Sequence, residues 1–356
     1  MIKRFIFIST KELVVGIAIF LVAFLSVFTS RYSRLESSSA ILFNEGTHVY
    51  LGDNTNLEGL VSCFKKQGLD FNEGNFRWAS KLLGWRTFKK GHYFLEDGYS
   101  YQEIFSKFAL GIQDPVDVVI LPGITVDRFA NSMASQLSID SLAIIEQLSD
   151  SVFLSELKLS REQLFGRMLP ETYSMYWTTN PKAAIERILT HFNTSVIKPY
   201  NDRAEELGYS IDDIVTMASI VEWEATLSDE KPIISGLYWN RLKRRMHLQA
   251  DPTVNYALGE RRRLLFKDYT FNHPFNTYVN YGLPPGAITN PSLSTIQATL
   301  YPEQHNYLYM VANPEGGHVF TRTFKEHQVE SEKWRIWLQR QYRIKRQREA
   351  AESANI

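Results

Sequence analysis

Residues 210–226, SIDDIVTMASIVEWEAT, decide how the larger part of this chain is read. Ser210 with Asp213 three positions later has the form of a capping box, aspartate replacing the usual Glu or Gln, and marks a helix start. At about 100° per residue, Ile211, Ile214, Val215, Ala218, Val221 and Ala225 share one apolar stripe. Glu222 falls inside that stripe, one turn beyond Ala218, whereas Glu224 projects roughly 160° away. Burial disfavours an ionised carboxylate, so Glu222 is expected to carry a raised pKa. A carboxyl group still protonated near neutral pH is what a general acid requires, and glycosidic bond cleavage commonly uses one. The spacing fits equally a buried glutamate paired with Arg241, Arg244 or Arg245 of the next helix, and phase alone leaves both readings open.

The surrounding chain is long enough for more than one folded unit: 356 residues, 44% of them hydrophobic and 13% aromatic. Lys plus Arg equals Asp plus Glu at 39 each, so the charge balance offers nothing for nucleic acid. A single cysteine, Cys63, excludes an intrachain disulfide framework and a multi-cysteine metal site. Near the N-terminus, LVVGIAIFLVAFLSVF (13–28) is uncharged, and the uncharged stretch continues to Ser30. Its residues 13–30 reach roughly 27 Å as a helix, enough to cross a bilayer core. Lys3, Arg4 and Lys11 precede it and Arg31 and Arg34 follow, a slight bias toward a cytoplasmic N-terminus. A cleaved signal peptide is the rival reading, but the run is long for one and lacks a convincing small-x-small site.

Outward from these landmarks the chain divides as residues 1–12 before the span, a transmembrane helix at 13–30 and a polar linker at 31–40. A small α+β module follows at 41–111, where strand-like THVYLG and HYFLEDG alternate with helix-like NLEGLVSCFKKQG and SYQEIFSKFALG. A larger mixed α/β domain occupies 112–327, and a charged helix closes the chain at 328–356. Within the large domain, Asn180 before Pro181, Asp251 before Pro252 and Asn290 before Pro291 look like helix starts. NYLYMVANPEGGHVFTRT (306–323) reads as a β-hairpin. Gln249, Asp251, Thr253, Asn276, Thr277, Tyr278 and Asn290 gather around turn-forming Pro and Gly, a set suited to a saccharide cleft, and His318 could face it from the hairpin. The bland readings stand beside these: Asp251 and Asn290 as caps, GLPPGAI as a rigid loop, His318 as a surface histidine. No zinc-protease, serine-hydrolase, Walker or dinucleotide motif supports metal, acyl-transfer or nucleotide chemistry.

Taken in order, MASIVEWEA, WNRLKRRMHLQADPTVNYALG, FNTYVNYGLPPGAITNPSLSTIQA and YLYMVANPEGGHVFTRTFKEH closely resemble the YceG-like family of endolytic murein transglycosylases, over residues 115–327. The resemblance implies an α+β protein with an N-terminal anchor, a LysM-like small module and a catalytic domain. It also implies that the first glutamate of IVE.E, here Glu222, is catalytic, with Gln249, Asp251, Asn276, Tyr278, Asn290 and His318 as candidate substrate contacts. Two departures bear on substrate contacts or packing: LPGIT (121–125) lacks the family's glutamate, and FGRMLPETY (165–173) has Phe165 and Met168 where an acid and a leucine are usual.

The implied reaction is non-hydrolytic cleavage of peptidoglycan between N-acetylmuramic acid and N-acetylglucosamine, leaving 1,6-anhydromuramyl ends and needing no cofactor and no metal. The implied setting is the cytoplasmic (inner) membrane, single-pass, with the catalytic domain outside, acting on nascent glycan strands, and the partner it implies is a peptidoglycan synthase. Two alternatives remain at this level: a wall-binding scaffold with a paired Glu222, and a conventional muramidase with Asp251 as second acid.

Overall fold

In a computed structural model the described residues are 9–36 and 46–354. The expected N-terminal segment before Ser9, and residues 37–45 of the expected linker and module start, lie outside them. The fold is α+β, with helices dominating and, among the described residues, three two-stranded sheets. Helix α1 (Thr10–Leu35) begins at a Ser9–Glu12 capping box. It is long and apolar enough to cross a membrane, and none of its side chains is buried. It runs through residues 31–35, which the sequence suggested were linker: RYSRL has no Gly or Pro to stop it.

The chain forms two compact units, one of residues up to Val116 with Ser174–Thr178, the other of Asp117–Tyr173 with residues from Thr179 onward. In the first, β1 (Thr47–Leu51), α2 (Leu57–Lys66), α3 (Glu73–Leu83) and β2 (Gly91–Leu95) make a βααβ arrangement followed by α4 (Tyr101–Leu110). β1 and β2 pair antiparallel, Thr47 opposite Leu95 and Leu51 opposite Gly91. Phe64, Phe76, Phe88, Tyr93, Phe105 and Phe108 fill its core. That aromatic content lets so short a segment exclude water without a disulfide.

β3 (Pro115–Val119) and β4 (Thr172–Tyr176) pair as a second sheet. Between them lie α5 (Val126–Gln136), α6 (Ser141–Ser149), α7 (Ser151–Leu157) and α8 (Arg161–Gly166). Then follow α9 (Pro181–Phe192), capped by Asn180 with proline at its start, and α10 (Lys198–Leu207). The second unit is organised on α11 (Ile211–Glu224), whose Ser210–Asp213 capping box is formed as expected. α11 is not a one-faced helix: every residue from Ile214 to Val221 is buried. It packs among α8, α10, α12 (Lys231–Lys243), α13 (Asp251–Leu258) and α14 (Leu293–Leu300), as a helix apolar on all sides must. The expected hairpin is present as β5 (Tyr309–Ala312) and β6 (His318–Thr321), with Ala312 opposite His318. α15 (Phe324–Ala354) ends the chain.

Candidate active site

Because α11 is surrounded, its last turn can send one glutamate to each side. Glu222 turns toward the start of α14. Its Oε1 accepts from Lys231 Nζ at 3.2 Å, and its Oε2 from Ser292 N at 3.0 Å and Ser292 Oγ at 2.9 Å. The Thr295 hydroxyl donates to Oε2 as well. Burial pushes this carboxyl up, but the Thr295 and Ser292 hydrogen bonds and the Lys231 ammonium together outweigh it and hold the pKa below the usual value. The raised pKa expected from helical phase is therefore overturned. The partner is Lys231, since Arg241 is spent on the carbonyls of Leu308 (2.6 Å) and Leu248 (2.6 Å).

Glu224 points the other way, into a cavity of about 360 Å³. Tyr238 of α12 donates its hydroxyl to Glu224 Oε1 at 2.8 Å. Oε2 has no hydrogen-bond partner among the described residues. Burial pushes the Glu224 pKa up to about 7 and nearby Asp251 adds to the rise, while the Tyr238 hydrogen bond, His318 and Arg241 oppose it. The sequence left Glu224 as a supporting or solvated residue; the structure makes it the perturbed carboxyl of the pair.

The same cavity is lined by Gln249, Asp251, Tyr278 and His318, four of the expected contacts. Gln249 sits at a positive φ of 50°, unusual for a non-glycine residue, in the turn before α13. That turn is pinned by Gln249 N to Thr277 O (3.1 Å), Ala250 N to Thr277 Oγ1 (3.0 Å) and a Thr253–Thr277 hydroxyl contact at 2.8 Å. Tyr278 donates to Asp251 Oδ1 at 2.6 Å, and burial raises the Asp251 pKa against that bond. Asp251 is not a cap: Ala250 holds the cap position of α13 and offers no side-chain bond. His318 is held from outside the cavity, Glu230 Oε1 accepting from its backbone N–H at 2.6 Å and Oε2 meeting its Nδ1 at 2.8 Å. The hairpin comes this close because Gly317 has no side chain; a Cβ there would lie 2.4 Å from Glu230 Oε1.

Asn276 and Asn290 are elsewhere. Asn276 is fully buried, donating to Phe271 O at 2.8 Å and accepting from Tyr278 N at 2.9 Å, so it shapes the loop carrying Tyr278. Asn290, also fully buried, donates to Leu121 O (3.0 Å) and Met168 O (3.1 Å) and accepts from Ile124 N (3.1 Å). It is no helix cap either: Ser292 caps α14, because the helix begins two residues later than Pro291 suggested. Phe165 and Met168 are buried, Phe165 with its ring edge-on to Phe129 at 5.8 Å. In the LPGIT turn, Gly123 O accepts from Trp223 Nε1 at 2.9 Å.

Sequence reasoning missed Tyr238 and Glu230 altogether. Tyr238 lies in SGLYWN among apolar residues and looks like core; Glu230 looks like an ordinary first-turn acid before a proline. Only their three-dimensional partners give them roles. Among the described residues no cluster of three or more His, Cys, Asp or Glu is placed to hold a metal ion.

Residues 49–333 match the YceG-like family. The match starts inside β1, so it takes in the small unit as well as the large one, beyond the 115–327 that the motifs covered. The chain is similar to the endolytic murein transglycosylase of Bacillus subtilis (strain 168), 30% identical over 306 residues, covering 81% of this chain and 84% of that protein. It is similar to the endolytic murein transglycosylase of Streptococcus pneumoniae serotype 2 at 26% identity, covering 80% of this chain and 58% of that longer protein. A YceG-like protein of Listeria monocytogenes, solved crystallographically, superposes with a TM-score of 0.58 at 28% identity, covering 80% of this chain and 99% of that one.

Proposed function

Because this chain belongs to the YceG-like family, we propose that it is a lytic transglycosylase cutting peptidoglycan glycan strands internally, with Glu224 rather than Glu222 as its general acid and base. The observation that carries this is the Glu224 carboxyl on the wall of a polar cavity, hydrogen-bonded by Tyr238 and pushed by burial to a pKa of about 7. Protonated Glu224 donates to the glycosidic oxygen between N-acetylmuramic acid and N-acetylglucosamine as the muramyl C1–O bond breaks. The resulting carboxylate keeps the Tyr238 hydrogen bond and takes the proton of the muramyl 6-hydroxyl, whose oxygen closes on C1. The product is a 1,6-anhydromuramyl end, and the proton balance is restored with no water consumed. One carboxyl suffices because the nucleophile belongs to the substrate.

Gln249, Tyr278 and His318 supply the amide, hydroxyl and imidazole that would orient the sugars. Helix α1 would be the single anchor, with a cytoplasmic N-terminus and the catalytic unit outside the cytoplasmic membrane, where strands emerge from a synthase. A second reading is favoured by Asp251 bordering the same cavity: a water activated by Asp251 would make the reaction a hydrolysis.

The test is product analysis with the full chain in lipid and purified glycan strands. Anhydromuramyl ends are expected. Reducing ends would replace transglycosylation by the muramidase reading, and binding without any product would leave a wall-binding scaffold.

A further inference from the structure

Beyond the catalytic cavity, Asp251 also borders a neighbouring cavity of about 510 Å³, formed with Arg262, Arg263, Leu264, Leu265, Phe266 and Tyr269. Asp251 lines both, and the ring of Tyr269 in the second lies 4.6 Å from that of Tyr278 in the first. We propose that this second lobe binds the peptide stem of a muramyl residue, with Arg263 receiving a stem carboxylate. The inference rests on the peptidoglycan reading above and extends it to the part of the substrate that is not sugar.

The run of Arg261, Arg262 and Arg263 is divided by function. Arg262 is committed inward: its guanidinium donates to Asp268 at 2.8 and 3.2 Å and to Glu260 at 3.0 Å, which fixes the loop. Arg261 leaves to one side and lies over the Trp223 ring at 4.7 Å. Arg263 leaves to the other and faces the second lobe, exposed. Its guanidinium makes a 3.4 Å contact to the Tyr342 hydroxyl, and no carboxylate among the described residues pairs with it. A fixed backbone thus presents an unneutralised guanidinium, the group best suited to a carboxylate.

The rest of the lobe agrees with a peptide better than with more sugar. The catalytic cavity offers an amide, a phenol and an imidazole beside its apolar wall; in the second lobe Leu264, Leu265 and the Phe266 and Tyr269 rings lie around Arg263, with Asp251 at the shared edge and Arg262 already paired to Asp268. Phe266 and its neighbour Leu265 are both exposed and leave adjacent apolar surface at the lobe. A muramyl residue carries its peptide on the lactyl ether of the sugar, so a stem extends sideways from a strand held in the first cavity. The stem is short, largely aliphatic and bears free carboxylates, which matches the unpaired Arg263 guanidinium beside apolar side chains.

The test reads binding, in the full chain carrying Glu224→Gln so that strands are not consumed. Two probes are compared: glycan strands with intact stems, and the same strands stripped of stems by an amidase. Stem-bearing strands are expected to bind about tenfold tighter, the worth of one charge-assisted contact. Arg263→Glu is expected to bring that ratio close to one, and Arg263→Lys to keep part of it. A ratio near one without the Arg263 change, or a ratio that Arg263→Glu does not move, would overturn the proposal. A chain that binds with this ratio but yields no cleavage products when Glu224 is present contradicts the reaction and not the lobe.

Discussion

The Tyr238 hydroxyl donates to Glu224 Oε1 across 2.8 Å, joining the end of α11 to the middle of α12 at the cavity wall. Burial keeps the Tyr238 phenol well above its ordinary pKa, so it remains a donor throughout the working range. The bond favours the carboxylate that forms after proton donation. Tyr238→Phe keeps the buried shape and removes it. Turnover is expected to fall about tenfold, and the alkaline limb of the pH–rate profile to move upward, because a force lowering the Glu224 pKa is gone. A pH profile of kcat/KM checks both.

Glu224 also makes a statement about stability. Its folded pKa of about 7 exceeds the ordinary 4.5, so across that window the unfolded chain binds fewer protons and stability declines as pH rises. Glu224→Gln removes the titration while leaving Tyr238 an acceptor. Urea unfolding at pH 8 is expected to show the variant more stable by roughly 2–3 kcal/mol, with the gain vanishing toward pH 4.5.

Glu222 has the opposite sign. Its lowered pKa contributes stability that is present above the ordinary 4.5 and lost as pH falls through the folded value. Glu222→Gln leaves the Lys231 ammonium, 12% exposed, without its counter-charge. A loss of about 2–4 kcal/mol at pH 7 is expected, shrinking in acid, while the protein that remains folded keeps its Glu224 carboxyl. Denaturant midpoints measured at pH 7 and pH 4 separate this from a catalytic defect.

Gly317 holds the hairpin against Glu230. Gly317→Ala places a Cβ 2.4 Å from Glu230 Oε1 at a φ of 67°. A destabilisation of about 1–3 kcal/mol is expected, together with a raised KM as His318 leaves the cavity wall. Glu230→Gln keeps the backbone acceptor and is expected to raise KM less; steady-state kinetics on both variants check the order.

Much of this was legible beforehand, and the failures have one cause. The Ser210–Asp213 box, the Asn180–Pro181 start and the hairpin at 306–323 are local signals and formed as read. Gln249, Asp251, Tyr278 and His318 do meet in one cavity. Two grounds favour Glu222 over Glu224, the resemblance to the IVE.E motif and helical phase, and phase tells inside from outside only for a helix with one wet face. α11 has none between Ile214 and Val221, so both glutamates leave a buried helix and their partners decide. Those partners, Ser292 and Thr295 for one and Tyr238 for the other, lie 14 to 73 residues away in the chain. Asn276 and Asn290 misled for a similar reason: an amide in a turn can face a ligand or buried carbonyls, and composition does not say which.

The most direct measurement compares glycan-strand cleavage by the full chain, Glu224→Gln and Glu222→Gln, with products resolved by mass and each variant assayed at a temperature where it is folded. Anhydromuramyl ends are expected from the unsubstituted chain, none from Glu224→Gln, and the same ends at substantial rate from Glu222→Gln. Persistent activity in Glu224→Gln with a silent, folded Glu222→Gln would contradict the Glu224 assignment.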